Sequence, residues 1–201
     1  MTSKERNILI VPGLNQSPAL YKQLLLDFPQ ITLFQFPCNA SDTQEFYNVP
    51  FFEYIELLKY HLNENQYRKI YSHSLGSLIL FHVLKSKKID SEIIMIAPAF
   101  FSRGFSLVLN YLPGHWSVPS LNRPRWRAHS ACKVKHYHQI FKLQKDIDLS
   151  LLDNSNVKII YDPRDELLET KNLSDLKIAQ EYFSKSFPRH LCLDFIERDM
   201  S

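Results

Sequence analysis

Residues 69–78 read Lys-Ile-Tyr-Ser-His-Ser-Leu-Gly-Ser-Leu: an apolar strand-like run, a Ser72-x-Ser74-x-Gly76 spacing, and then an apolar helix-forming run. A turn that passes directly from strand to helix brings the residues two before and two after its centre into near contact, so both must be small. Gly76 meets that demand. Ser72 meets it with a small side chain at a position where glycine is usual. The central residue, Ser74, is then held in a strained conformation with its hydroxyl exposed at the sheet edge, as nucleophilic chemistry requires. The alternative for Ser74 is that of an ordinary helix N-cap without chemistry.

A serine hydroxyl is a poor nucleophile until a base takes its proton, and the base needs a carboxylate to fix its tautomer. Downstream, an apolar run at 157–161 leads into Asp162-Pro-Arg-Asp165-Glu166. Asp165 is the best placed acid, Asp162 the runner-up and Glu166 the third choice; Asp162 suits a turn before Pro163 equally well. His190 is the only histidine after these acids and is the expected base. His73, beside the nucleophile, is expected to point its side chain elsewhere. His61 and His82 fall on helices as packed or surface residues. His115, His129, His136 and His138 lie further along; His136-x-His138 has no supporting cysteine or carboxylate pattern, so no metal and no cofactor is expected. Two backbone amides should face the developing oxyanion. Leu75, at the start of the helix, supplies one. Leu14, in the loop where Pro12-Gly13 ends the first strand, supplies the other, with Gly13 permitting the turn.

The elements that position these groups follow an alternating pattern. Strands are expected at 7–11, 31–36, 69–73, 92–96 and 157–161, with a weak sixth ahead of Pro188. Helices are expected at 18–28, with Ser17 as N-cap and Pro18 in the first turn, at 51–62 with Phe51, Tyr54, Ile55, Leu58 and Leu62 on one stripe, and at 75–84. Strands alternating with helices mean an α/β fold on a mostly parallel sheet of about six strands. Residues 100–152 break the rhythm and read as a basic helical cap or lid inserted into a single domain spanning 1–201.

With Ser72-His73-Ser74-Leu75-Gly76, Pro12-Gly13-Leu14, Asp165 and His190 in this order, the chain resembles a compact α/β-hydrolase. The resemblance covers most of the chain outside the insert, and the first hairpin of that family's sheet is missing. It implies acyl-enzyme chemistry: Ser74 attacks an ester or thioester carbonyl, His190 shuttles the proton, Asp165 orients it and water deacylates. Departures from the family pattern are Ser72 and Arg189, both where glycine is common, and they leave room for a hydrolase-fold interaction protein with little turnover.

Composition narrows the rest. Of 201 residues 45% are hydrophobic and 13% aromatic, with only 4 glycines, which excludes disordered, collagen-like and linker classes. Cys38, Cys132 and Cys192 are odd in number and scattered, which argues against a disulfide framework or zinc site and for a reducing compartment, the cytoplasm. The polar residues 1–6 do not read as a signal peptide, and no apolar stretch approaches a membrane span. The net charge of +3 hides a division. Residues 99–145 contain no Asp or Glu but carry Arg103, Arg123, Arg125, Arg127, Lys133, Lys135, Lys142 and Lys145; the remaining 16 Lys/Arg against 21 Asp/Glu leave −5 elsewhere. Interleaved with Tyr111, Trp116, Trp126, Tyr137 and Phe141, these cations suggest an anionic partner beside an apolar channel. Acyl carrier protein, the phosphates of CoA or an anionic membrane surface would serve; nucleic acid is disfavoured. Among α/β-hydrolases, basic caps of this kind resemble those of the esterases that demethylate pimeloyl-acyl-carrier-protein methyl ester in biotin synthesis. The alternative is a solvated basic surface over ordinary core aromatics.

Overall fold

The computed structural model describes residues 7–40, 49–120, 123–152, 156–185 and 189–201. Its elements are β1 (Ile8–Val11), α1 (Lys22–Asp27), β2 (Ile31–Leu33), α2 (Phe51–Glu64), β3 (Lys69–His73), α3 (Leu75–Leu84), β4 (Glu92–Ile96), β5 (Ser117–Pro119), β6 (Ala131–Lys133), α4 (Val134–Gln144), β7 (Val157–Tyr161), α5 (Lys171–Ser174), β8 (Ala179–Glu181) and α6 (Asp194–Met200). Six strands form one sheet in the order β2-β1-β3-β4-β7-β8, every neighbouring pair parallel. Parallel strands covered on both faces read as unbroken apolar runs. Accordingly Leu9, Ile10, Val11, Ile70, Ile94, Met95 and Ile160 have essentially no solvent exposure. Full burial of each such side chain contributes about 1.5–3 kcal/mol.

The helix α3 is apolar nearly all round because it is enclosed: seven of its first seven residues are buried, from Leu75 to Phe81. On one side of it packs α2, through a stripe of Phe51, Tyr54, Leu58 and Leu62. The strands β3, β4 and β7 and the helix α3 have the expected bounds, and β1 and α2 differ by one and two residues. Among the described residues no helix is long and apolar enough to cross a membrane.

Three local expectations are revised. The helix expected over 18–28 opens as a 3-10 turn at Pro18–Tyr21, with the Ser17 hydroxyl accepting from the Ala19 amide, before α1 begins. The strand expected over 31–36 stops at Leu33, since Pro37 enters another 3-10 turn and has no N–H to extend a ladder. The sixth strand forms at Ala179–Glu181, earlier than the approach to Pro188; positions 186–188 lie outside the described residues. The insert is also less helical than expected. Between β4 and β7 it carries a 3-10 segment, Gly104–Tyr111, an antiparallel β5–β6 ribbon and a single longer helix, α4. Pro113, Pro119 and Pro124 interrupt any longer helix there.

At the β3–α3 turn the backbone of α3 passes against the end of β1. A Cβ at Gly76 would lie 2.5 Å from both the Val11 and Pro12 carbonyl oxygens, which are backbone atoms without freedom to retreat. Gly76→Ala is therefore expected to lower the melting temperature by about 5–10 °C, the overpacking penalty spread over a chain of this size. A thermal melt of Gly76→Ala matching that of the parent would contradict the contact.

Candidate active site

Ser74 sits between β3 and α3 at φ 49°, ψ −114°. A non-glycine residue held in such a region stores about 1–3 kcal/mol and persists only where its surroundings over-determine it. Here they do. The Ser74 amide donates to the Ile96 carbonyl at 3.0 Å, and the Ser74 carbonyl accepts from Ser77, Leu78 and Ala99 at 3.1–3.2 Å. Ser72 fits the tight turn because its hydroxyl is absorbed in a buried hydrogen bond with the Ser77 hydroxyl, 3.0 Å away.

Across from Ser74, His190 Nε2 lies 2.8 Å from Ser74 Oγ, and His190 Nδ1 lies 2.7 Å from Asp165 Oδ2. The other Asp165 oxygen accepts from the Leu167 and Leu168 amides at 2.7 and 2.9 Å, which fixes the carboxylate on both edges. Burial alone would raise the Asp165 pKa. The imidazole of His190 and the two amides outweigh it and hold the carboxyl below its ordinary range. Asp162, the competing acid, is occupied elsewhere: its two oxygens take the Arg164 side chain at 2.9 and 2.7 Å and the amides of Arg164 and Ser184. Glu166 accepts from the Arg189 and His190 amides at 3.3 Å each and so holds the turn that carries His190. Arg189, in the position where glycine is common, points its guanidinium toward the Glu166 carboxylate at 3.6 Å.

Leu14 and Leu75 line the same cavity as Ser74 and His190, of about 360 Å³. Neither of their amides donates to another described protein group, and Leu75 opens α3, where helix amides concentrate positive potential. The deeper wall is apolar, formed by Leu109, Val118, Tyr137, Ile140, Phe141, Leu167 and Leu168, with Ser102, Ser106 and Ser120 among them. Among the described residues no Lys, Arg, Asp or Glu lines it.

The basic residues of the insert stand apart from this cavity. Arg103, Arg123, Arg125, Arg127, Lys133 and Lys135 are all absent from its wall. Arg123 and Arg125 set their guanidinium groups 4.7 and 4.8 Å from the Trp126 ring centre, and Lys133 Nζ donates to the Ser117 hydroxyl. Of the insert aromatics, Tyr137 and Phe141 reach the cavity, whereas Tyr111 and Trp116 are exposed on the outside. His136 and His138 serve as packing: His136 Nδ1 accepts the Lys133 amide that opens α4, and His138 Nε2 donates to the Leu109 carbonyl.

Two residues beneath the site escaped the sequence reading. His73 does not point away from the site. Its Nε2 lies 2.8 Å from the His190 carbonyl, which can only accept, so Nε2 carries the proton and Nδ1 accepts from Gln16 Nε2 at 2.8 Å. Gln16 Oε1 in turn accepts from the Gly13 amide at 2.6 Å and the Tyr21 hydroxyl at 2.7 Å. Gly13 also has a different role from the one expected. None of the glycines has positive φ; the left-handed residue of this loop is Asn15, at φ 56°. Gly13 is needed for space, since a Cβ there would lie 2.9 Å from His73 Nδ1. Gln16 and His73 are 57 positions apart, and neither belongs to a motif that would pair them.

Burial, followed by the nearness of His190, pushes the His73 pKa down to about 3. The folded chain thus keeps His73 neutral while the unfolded chain binds a proton near pH 6.5. Between those values the unfolded state holds more protons, so stability falls as pH drops from about 6.5 toward 3. The depressed carboxyl of Asp165 acts with the same sign, its contribution being lost only below the ordinary carboxylate range. His73→Gln should flatten the dependence of melting temperature on pH across this window. An undiminished slope in that variant would remove His73 as a source.

No family model and no curated protein matches the chain. Solved structures do. The chain superposes on a monoacylglycerol lipase of Paleococcus ferrophilus with a TM-score of 0.60 at 13% identity, over 89% of this chain and 84% of that one. A carboxylesterase structure from Nitrososphaera gargenis gives 0.58 at 11% identity, over 98% and 88%. An α/β-hydrolase fold protein from Burkholderia ambifaria gives 0.56 at 10% identity, over 96% and 90%. With the all-parallel sheet and the strand-to-helix turn at Ser74, these likenesses show that the chain has the α/β-hydrolase fold.

Proposed function

We propose that the chain is a serine carboxylic ester hydrolase. The observation that carries this reading is the unbroken line of hydrogen bonds from Ser74 through His190 to Asp165 at the wall of an apolar cavity. Ser74 Oγ attacks the ester carbonyl as His190 Nε2 takes its proton. The negative charge on the carbonyl oxygen is met by the amides of Leu14 and Leu75, each such donor contributing on the order of 10²–10³ in rate. Collapse expels the alcohol with the proton from His190 and leaves an acyl group on Ser74. Water then attacks with His190 again as base. Asp165 stays ionised throughout and holds the imidazole with Nδ1 protonated.

The cavity selects the acyl group. With no charged side chain among the described residues of its wall, it favours an uncharged chain over a free carboxylate. Charge belongs outside the cavity, where a carrier joined to the far end of the acyl chain lies while methanol leaves from the ester end. Arg103, Arg125, Arg127 and Lys135 take part in no ion pair among the described residues, and Arg123 and Lys133 stand on the same insert. Arg103, Arg125, Arg127 and Lys135, without carboxylate partners among the described residues, favour an ester delivered by an anionic carrier, an acyl carrier protein or CoA, with pimeloyl-acyl-carrier-protein methyl ester in biotin synthesis as the specific substrate we put forward. The same arrangement accepts a thioester. We assign the protein to the cytoplasm, where buried thiols such as Cys38, Cys132 and Cys192 remain reduced.

A fluorophosphonate probe is expected to label the parent and not Ser74→Ala. On p-nitrophenyl esters Ser74→Ala and His190→Ala should lose about 10⁶ in kcat, and Asp165→Asn about 10⁴. A parent chain that is neither labelled nor active on such esters would end the hydrolase reading. On substrate choice, kcat/KM should be higher for carrier-linked than for free methyl esters, and added salt should erode the gain by screening the insert. Equal rates at all ionic strengths would dismiss the carrier while leaving the chemistry intact.

A further inference from the structure

The loop that presents the Leu14 amide is fastened to the insert by the Asn15 side chain together with backbone contacts. Asn15 is 2% exposed, and its amide group faces the 126–129 segment of the insert. Its Oδ1 accepts from the His129 amide at 2.6 Å, and its Nδ2 donates to the His129 carbonyl at 2.8 Å and to the Ser120 hydroxyl at 3.0 Å. The backbone continues the same contact. The Ala128 amide donates to the Asn15 carbonyl, the Ser17 amide donates to the Trp126 carbonyl, and Gln16 forms an antiparallel bridge with Arg127. This is side-chain pairing with both the N–H and the C=O of one residue, 114 positions away, by an asparagine in the left-handed region.

We propose that Asn15 is a positioning residue that sets the oxyanion-binding geometry of the Leu14 amide by locking its loop to the 126–129 segment, so that the placement of the insert determines whether the second oxyanion donor is in register. The proposal rests on the ester-hydrolase reading above. Physically, the Leu14 N–H belongs to the Gly13–Leu14 peptide, one residue ahead of the clasp, so a shift of the Asn15 backbone reaches it through the torsions of Leu14. The left-handed φ of Asn15 alone does not fix that backbone; the two hydrogen bonds to the His129 backbone do. From the opposite side, Asn39 Nδ2 donates to the Gly13 and Gln16 carbonyls at 2.8 and 3.0 Å, so the loop is held between the body and the insert. The 126–129 segment begins at the Trp126 ring against which Arg123 and Arg125 stack, so an anionic partner engaging these cations acts on the same segment.

Asn15→Gly separates the clasp from backbone conformation, because glycine keeps the left-handed φ and loses the side chain. On a short p-nitrophenyl ester, kcat should fall about 10²-fold, the effect of a misplaced reacting geometry, with KM nearly unchanged. Affinity for a trifluoromethyl ketone, which binds Ser74 as an oxyanion, should fall by the same factor, because donor alignment affects that complex and the transition state alike. A role confined to stability would lower the melting temperature and leave both readouts where they were; that result overturns the proposal. Asn15→Asp, nearly identical in size, decides the matter if the glycine variant fails to fold. It keeps the acceptor for the His129 amide and loses the donor, so the same losses are expected, and parental kcat and ketone affinity would overturn the clasp. A parent with no ester turnover would instead strike down the hydrolase reading and this role with it, whereas an active parent matched by both variants strikes down the clasp alone.

Discussion

The space for one missing methyl group at Gly76 governs the arrangement of the site. Because α3 approaches the carbonyls of Val11 and Pro12 this closely, the end of β1, the turn at Ser74 and the first turn of α3 share one small volume. That proximity is what brings the Leu14 loop and the Leu75 amide to the same cavity. A wider turn would separate the two amides and relieve the conformation of Ser74 at once. The strain at Ser74 and the convergence of the amides are therefore two results of a single steric constraint.

Around that point, backbone strain is distributed unusually. Among the described residues the non-glycine positions with positive φ are Asn15, Ser74, Ala97 and Cys192. Asn15 and Ser74 line the cavity, Ala97 follows β4 where its amide donates to Ile160, and Cys192 follows His190 by two positions. Hydrogen bonds, not glycines, hold these conformations: Asn15 by His129, Ser74 by Ile96 and Ala99, and Cys192 with its thiol turned back to the Arg189 carbonyl. Local strain at a site is expected where the surrounding structure is strong enough to enforce it. Here the enforcing groups come from the sheet, from the insert and from the 189–192 turn.

Much of this frame was legible in the sequence because burial leaves a simple trace. The strands β1, β3, β4 and β7 are enclosed on both faces and appear as unbroken apolar runs, so their bounds could be read almost to the residue. The turn at Ser74 could be read because its geometry tolerates only small neighbours. β8 left no such trace, for an edge strand reading Ala-Gln-Glu with two of three residues exposed has no apolar pattern. The insert was hard to read for the opposite reason, since its prolines and aromatics permit both helix and ribbon. Gly13 misled in a more instructive way. A Pro-Gly pair after a strand suggests a turn that needs glycine's torsional freedom, yet the glycine answers a steric demand from His73, and the unusual torsion belongs to Asn15. The Gln16–His73 and Asn15–His129 contacts were invisible because each joins segments whose meeting depends on the whole sheet.

The all-parallel sheet has a kinetic consequence. Each of its strand pairs joins segments separated by a crossover; among the described strands the antiparallel pair is the β5–β6 ribbon, which belongs to the insert. Parallel pairing defers its reward until long loops have closed, which slows folding relative to chains rich in local contacts. The hydrogen bonds among Ser74, Asp165 and His190 span up to 116 positions. They join segments that meet only when β1, β3, β4 and β7 are in register, so the strained conformation of Ser74 depends on the assembled sheet. On the proposed hydrolase reading, a partly folded chain presents an ordinary hydroxyl at that position and gains its nucleophile only once its own core has closed around it.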